Sequence, residues 1–319
     1  MSRQQSYRDT YQMLHNTTPP ATIHIETSAA DILNPGRGFM RAFDYTMQLQ
    51  VGCPGGCLFC YVPAGTRLTP QAVRGSHGEQ WGYQVRNKVN VIAKFEKYLD
   101  QGRLADKAIY WSGVTDPYAA PPTITRELWS ALLEAPDHLR PRRIVVQTRF
   151  HPERDVALMA QYQATTTPSD DGPPLLISYS IGTDRNQLIT AWEKSTPLFE
   201  QRLNAIHTLR QAGLFVVATL SPLGLWNNLS GTLTEFKTWG VAYLTTLFLK
   251  RGTPSANTPA RFLTYVQVHY PTLLDPVWHA EQLQAMQAIY GEPLVLVGQE
   301  GFGSLAQPHH VITTNQALI

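Results

Sequence analysis

Apolar and polar positions alternate across residues 46–51, with Met47, Leu49 and Val51 set against Thr46, Gln48 and Gln50. A period of two is that of a strand. Apolar runs at 108–111, 144–147, 175–181, 214–220 and 241–249 predict five more strands. Between them the spacing turns helical, at 88–99, 123–134, 155–162, 198–212 and 233–239. In the clearest of these, 198–212, Phe199, Leu203, Ile206 and Leu209 share one face and Gly213 is placed to end the helix. Strands separated by helices pair in parallel through right-handed crossovers. The pattern therefore predicts an α/β fold, a partial or closed β/α barrel of about six units over residues 44–250. Residues 1–43, rich in Pro and Thr and then in Gly, read as a lead-in that wraps the domain. Residues 251–319, with a helix over 276–290 and a strand over 294–297, read as an extension packing on the barrel. In such a barrel the chemistry sits at the carboxyl ends of the strands.

Charge narrows the choice of partners. The 319 residues carry 26 basic and 24 acidic side chains, a formal net charge of +2. This balance gives no electrostatic argument for an anionic membrane or for nucleic acid, which would need a local basic groove. The start of the chain is polar and has no apolar signal region, and no apolar run is long enough to span a bilayer. The expectation is a soluble, cytoplasmic protein.

The chain has three cysteines, Cys53, Cys57 and Cys60, all in the loop Gly52-Cys53-Pro54-Gly55-Gly56-Cys57-Leu58-Phe59-Cys60-Tyr61. An odd number at such close spacing is not a disulfide framework. Thiolates are soft ligands that select iron–sulfur, zinc or Cu(I). Most 4Fe–4S clusters take four cysteines, so three would leave one iron open to a chelating ligand. The glycines let backbone wrap closely around a bulky group. Two blander readings stand beside this one. The first is a structural zinc completed by His77, against which CxxxCxxC departs from the usual CxxC pairs. The second is three core cysteines, in a loop composition that does not suit them.

CxxxCxxC with an aromatic, Phe59, before the third cysteine resembles the signature of the radical S-adenosylmethionine superfamily. The resemblance implies a 4Fe–4S cluster on Cys53, Cys57 and Cys60, with S-adenosylmethionine chelated to the open iron. It also implies reductive cleavage to a 5′-deoxyadenosyl radical that abstracts hydrogen from a substrate. An electron donor such as a flavodoxin or ferredoxin would be a partner. A narrower resemblance points to the spore photoproduct lyase-like branch. Gly113-Val114-Thr115-Asp116-Pro117-Tyr118 is similar to its "TDPY" segment, and Val146-Gln147-Thr148-Arg149 to a strand end where lysine is usual. Ser178-Tyr179-Ser180, Glu193, Pro197, Arg202-Leu203, Gly213 and Ser221-Pro222 continue the series. By this resemblance Phe59, Thr115, Asp116, Arg149 and Ser180 are candidates for cofactor binding and Tyr61 for a catalytic role.

Each has a plain structural reading too. Asp116-Pro117 is a turn starter, Tyr61 suits a core, and Glu193 suits a salt bridge at a helix end. The pair His309-His310 points to two faces and is set aside, and nothing in Trp226-Asn227-Asn228 is specific. Val114 stands where the branch has its hydrogen-donating cysteine, so a repair lyase acting on damaged DNA is the second enzymatic reading. A zinc-stabilised binding protein is the non-enzymatic one.

Overall fold

The computed structural model describes residues 2–64, 69–169, 172–249 and 258–307. The chain opens with α1 (Arg3–His15), β1 (Ile23–Thr27), β2 (Leu33–Pro35), β3 (Tyr45–Met47), β4 (Gln50–Val51), α2 (Gln71–Arg74) and β5 (Gln84–Lys88). It continues through α3 (Val91–Asp100), β6 (Ala108–Trp111), α4 (Pro122–Glu134), β7 (Arg143–Thr148), α5 (Val156–Thr165) and β8 (Leu175–Ser180). Then come α6 (Asn186–Trp192), α7 (Phe199–Gln211), β9 (Phe215–Leu220), α8 (Leu229–Thr238) and β10 (Tyr243–Thr246). The last described elements are α9 (Ala260–His269), α10 (Pro276–Tyr290), β11 (Val295–Val297) and α11 (Gly298–Ser304).

Eight strands form one sheet in the order β11-β10-β9-β8-β7-β6-β3-β2. All neighbours from β3 to β11 pair in parallel, and β2 joins antiparallel at one edge. The barrel is open: β2 and β11 are the ends of the sheet and do not pair with each other. The strands β7, β8 and β9 are largely apolar and buried because helices cover one face and the barrel interior the other. On the helix side Trp111, Val146, Ile177, Tyr179 and Val216 pack beneath Leu128, Trp129, Ile206 and Leu209. On the inner side Ala108, Tyr110, Val145, Leu176, Val217 and Tyr243 meet Met40, Phe43, Leu305 and Ala306. The turn before β3 and the residues after α11 therefore fill the inner side at the end opposite the strands' carboxyl termini, leaving those termini for a site.

Two parts differ from the sequence expectation. The alternation over 46–51 is two short strands: β3 stops at Met47, and Gln50–Val51 pairs antiparallel with β5. The Gln48 amide donates to the Ile32 carbonyl and the Lys88 ammonium to that of Gln48, at 3.0 and 2.9 Å, which turns the chain out of the barrel. With β1 parallel to β5, these strands build a second sheet, β1-β5-β4. The tail extends the barrel by one strand, β11, parallel to β10. The pair His309-His310 and the position 250/251 lie outside the described residues. Among the described residues no helix is long and apolar enough to cross a membrane.

Candidate active site

The cysteine loop lies between β4 and α2, and three other parts of the chain hold it. The Tyr7 hydroxyl, from α1, donates to the Gly56 carbonyl at 2.6 Å. After α6, the Lys194 amide donates to the Gly55 carbonyl at 3.0 Å and the Ser195 hydroxyl to that of Pro54 at 2.8 Å. The Leu58 amide donates to the Trp192 carbonyl at 2.8 Å. Behind the loop, Cys57, Leu58 and Phe59 pack on Trp192 and Phe262. The lead-in is thus part of the scaffold of this loop.

Two glycines set how tightly the loop closes. Gly56 has φ +53° and Gly82 φ +90°, and a Cβ on Gly82 would fall 2.5 Å from the Gly56 Cα. Gly82→Ala is expected to destabilise the fold by more than the roughly 1–3 kcal/mol of left-handed strain alone. Gly213 supplies the comparison, since it has φ +76° and open space where a Cβ would stand. Denaturant unfolding of Gly82→Ala and Gly213→Ala, side by side, checks this. Equal losses would mean that the approach of Gly56 to Gly82 is unimportant.

Burial disfavours the three thiolates. It pushes the Cys60 thiol up to about 12, against the Val62 amide and the Trp81 indole, which hydrogen-bond its sulfur. Burial, with the Asp116 carboxylate adding to it, raises Cys53 to about 11, against the amides of Asp116 and Gly55. Cys57 rises well above the ordinary thiol value, for burial again. Cys57 and Cys60 pack among apolar side chains, and N–H groups are aimed at the sulfurs of Cys53 and Cys60; a bound metal would favour the thiolates by displacing their protons. Among the described residues, no three His, Cys, Asp or Glu side chains are placed to share one metal ion. A single zinc needs its donors about 2.3 Å from one point.

The strand ends bring the other candidates to this loop. Thr115 follows β6, is buried, and its hydroxyl reaches the Gln50 carbonyl at 3.5 Å. Asp116 accepts from the Tyr118 amide (2.9 Å), the Thr148 hydroxyl (2.6 Å) and the Arg149 amide (2.8 Å). The bond to the Tyr118 amide is the local turn that the plain reading expects, and the two bonds to Thr148 and Arg149 make the carboxylate a tie between the ends of β6 and β7 as well. Burial raises its pKa despite these three donors. The Arg149 guanidinium lies 5.0 Å from the centre of the Phe59 ring and 3.0 Å from Glu193. Glu193 also pairs with Arg202 at 2.5 Å. Tyr61 is 39% exposed, with its hydroxyl on the Gly113 carbonyl at 2.6 Å. Ser180, buried at the end of β8, is reached by the Gln147 amide at 3.4 Å. It has no described bond to the cysteine loop. Inside the barrel Ser178, Thr219 and Thr245 form a hydroxyl chain with links of 2.6 and 2.7 Å, making part of the interior polar.

Sequence reasoning passed over Gln50, Tyr7, Trp81, Lys194 and Ser195. Gln50 is buried beside the loop, and no partner of its side-chain amide is found among the described residues. Nothing local in the sequence marks these residues, because they reach the loop from four separate segments.

A parallel, open β/α barrel with a three-cysteine loop beside its strand ends is the class that the fold and site define. No protein-family model matches the sequence, and no curated protein does. Solved structures match the fold. A spore photoproduct lyase complexed with dinucleoside spore photoproduct aligns at a TM-score of 0.54 and 16% identity, over 91% of this chain and 83% of that one. A cysteine-to-serine mutant of spore photoproduct lyase aligns at 0.53 and 16%, over 92% and 93%. A double mutant with bound AdoMet and dinucleoside spore photoproduct aligns at 0.52 and 16%, over 91% and 83%. The chain shares their fold.

Proposed function

We propose that this protein is a radical S-adenosylmethionine enzyme, with a 4Fe–4S cluster held by Cys53, Cys57 and Cys60. The observation that carries it is the three-thiol loop beside the strand ends, with Cys57, Leu58 and Phe59 packed on Trp192 and Phe262. Held by those three cysteines, such a cluster would supply the one-electron reducing chemistry for cleavage of S-adenosylmethionine and abstraction of hydrogen from the substrate. The chain's own residues prepare the place. Phe59 and Trp192 exclude water from the loop, and the Val62 and Trp81 N–H groups stabilise sulfur charge. Asp116 fixes the ends of β6 and β7, and with them the positions of Thr115 and Arg149. Thr115, Asp116, Arg149 and Ser180 are the proposed contacts of the cofactor, and Tyr61 is the proposed substrate-side residue. An external one-electron donor is required. A cleft of about 280 Å³, lined by Arg74, His77 and Arg261, leads to Cys57 from outside.

The test is anaerobic reconstitution with iron and sulfide, followed by reduction and addition of S-adenosylmethionine. The expected result is about four irons per chain, an electron-paramagnetic signal that changes when S-adenosylmethionine is added, and formation of 5′-deoxyadenosine. Uptake of a single zinc with no cluster sinks the proposal, as does a cluster whose signal ignores S-adenosylmethionine. The substrate reading carries one further expectation. The cysteines are committed to metal and Val114 has no S–H, so the protein should not cleanly restore thymines in spore-photoproduct DNA, as read by mass spectrometry.

A further inference from the structure

The second sheet ends on β1, whose outer edge pairs with no other strand among the described residues. The direction of its free groups follows from the ladder. The Ile23 amide donates to Tyr83 at 2.7 Å and the Thr27 carbonyl accepts from Val89 at 2.9 Å. In a parallel pair, alternate residues face the partner, so Ile23, Ile25 and Thr27 are bonded inward to β5. The N–H and C=O groups of His24 and Glu26 therefore point outward, where another strand can use them. Natural edges are usually blunted by lysine, proline or a bulge. β1 carries none of these in its five residues, which run Ile-His-Ile-Glu-Thr. Ile23 is 45% exposed and Ile25 43%.

We infer that β1 is a dimerisation edge: two copies of this chain pair antiparallel through β1 about a two-fold axis at Ile25. Its sequence is complementary to itself in that register. With Ile25 facing Ile25 of the other copy, each His24 faces a Glu26, so two imidazole–carboxylate pairs form symmetrically. The outward groups of His24 and Glu26 then make hydrogen-bonded pairs, and Ile25 falls at a non-bonded position, where side chains approach most closely. Centring the axis on His24 would set imidazole against imidazole, and centring it on Glu26 would set carboxylate against carboxylate, which is destabilising. An interface of this kind uses the same patch twice and closes on itself, giving a dimer rather than a fibre. It joins the two three-stranded sheets into one of six strands, β4-β5-β1 continued by β1-β5-β4 of the second copy. The edge lies outside the barrel sheet.

The experiment is sedimentation velocity on the full chain at about 50 μM. The wild type should sediment as a dimer. Ile25→Lys and Ile25→Glu should each sediment as a monomer, because each sets like charges against each other on the axis. An equimolar mixture of the two variants should return to the dimer, since lysine then faces glutamate. That recovery also shows both variants to be folded. A monomeric wild type overturns the inference. So does a dimer that survives Ile25→Lys, or a mixture of the variants that stays monomeric although both keep the wild-type circular dichroism spectrum. Since the reconstitution assay does not read assembly state, failure here leaves the cluster proposal standing, and the reverse holds too.

Discussion

Cys57→Ala will bind well under one iron per chain after reconstitution, where the wild type takes up about four, as three-thiolate ligation of a cubane requires. Cys57 is the most enclosed of the three, packed with Leu58, Phe59 and Trp192. Cys53 and Cys60 sit nearer the surface of the loop, and their replacement should have the same outcome because, on the proposed ligation, each thiolate would serve its own iron. The metal-free fold should barely notice the change. Burial already keeps the Cys57 thiol protonated without metal, so the substitution removes one small apolar group, worth about 1 kcal/mol. The check is therefore double: iron and sulfide analysis on the loaded protein, and denaturant unfolding on the metal-free one. If the variant loses iron and also unfolds several kcal/mol more easily, the cysteine is a core residue and the loss of metal is secondary. A full cluster in Cys57→Ala ends the ligand assignment outright.

The barrel strands were legible because both of their faces are buried. β6 matches the predicted run at 108–111, and β7, β8 and β9 agree to within a residue or so at either end. Such runs stay mostly apolar, and helices such as Pro276–Tyr290 carry their own stop, here Gly291 with φ +88°. α1 went unread because its buried stripe is Tyr7, Tyr11 and Leu14 in an otherwise polar segment. The hydroxyl of Tyr7 is there for Gly56, which only the folded loop reveals. The second sheet was missed for a related reason. β1 is exposed, β4 is two residues long, and β5 mixes Gln, Arg and Asn with a single buried valine. None of the three has a pattern strong enough to stand alone, and pairing across distant segments decides them. In the site, the cysteine spacing announced itself. Asp116 did so only halfway: its place after a strand was right, but its three internal donors could not be counted before Thr148 and Arg149 were seen beside it.

Glu193→Gln will lower stability by about 3–5 kcal/mol, the usual cost of breaking a buried ion pair from one side. Glu193 is buried between two guanidiniums, with Arg149 at 3.0 Å and Arg202 at 2.5 Å, and the Thr196 hydroxyl donates to it as well. Arg202 is itself fully buried. Burial by itself would raise the pKa of this carboxyl, but Arg202 and then Arg149 outweigh it and hold it below the usual carboxylate value. The sign of the pH dependence follows. A depressed pKa in the folded state adds stability above the unfolded value of about 4.3. That contribution disappears as pH falls through the lower folded pKa. Wild type should therefore lose this part of its stability on acidification below about pH 4, the unfolded carboxyl range, while Glu193→Gln should lack it at every pH. A second variant separates charge from shape. Replacing both partners, as Glu193→Gln with Arg202→Met, removes one of the two stranded cations and should recover part of the loss, as buried pairs replaced together commonly do. Arg149 supplies the functional readout, since Glu193 holds it over the Phe59 ring beside the cysteine loop. Glu193→Gln should accordingly retain iron less firmly in a chelator challenge, even at pH 7 and at a denaturant concentration where it is folded. A Glu193→Gln variant as stable as wild type at pH 7, and losing stability in step with it below about pH 4, would show that the two guanidiniums are satisfied elsewhere and that Glu193 is not the group that anchors Arg149.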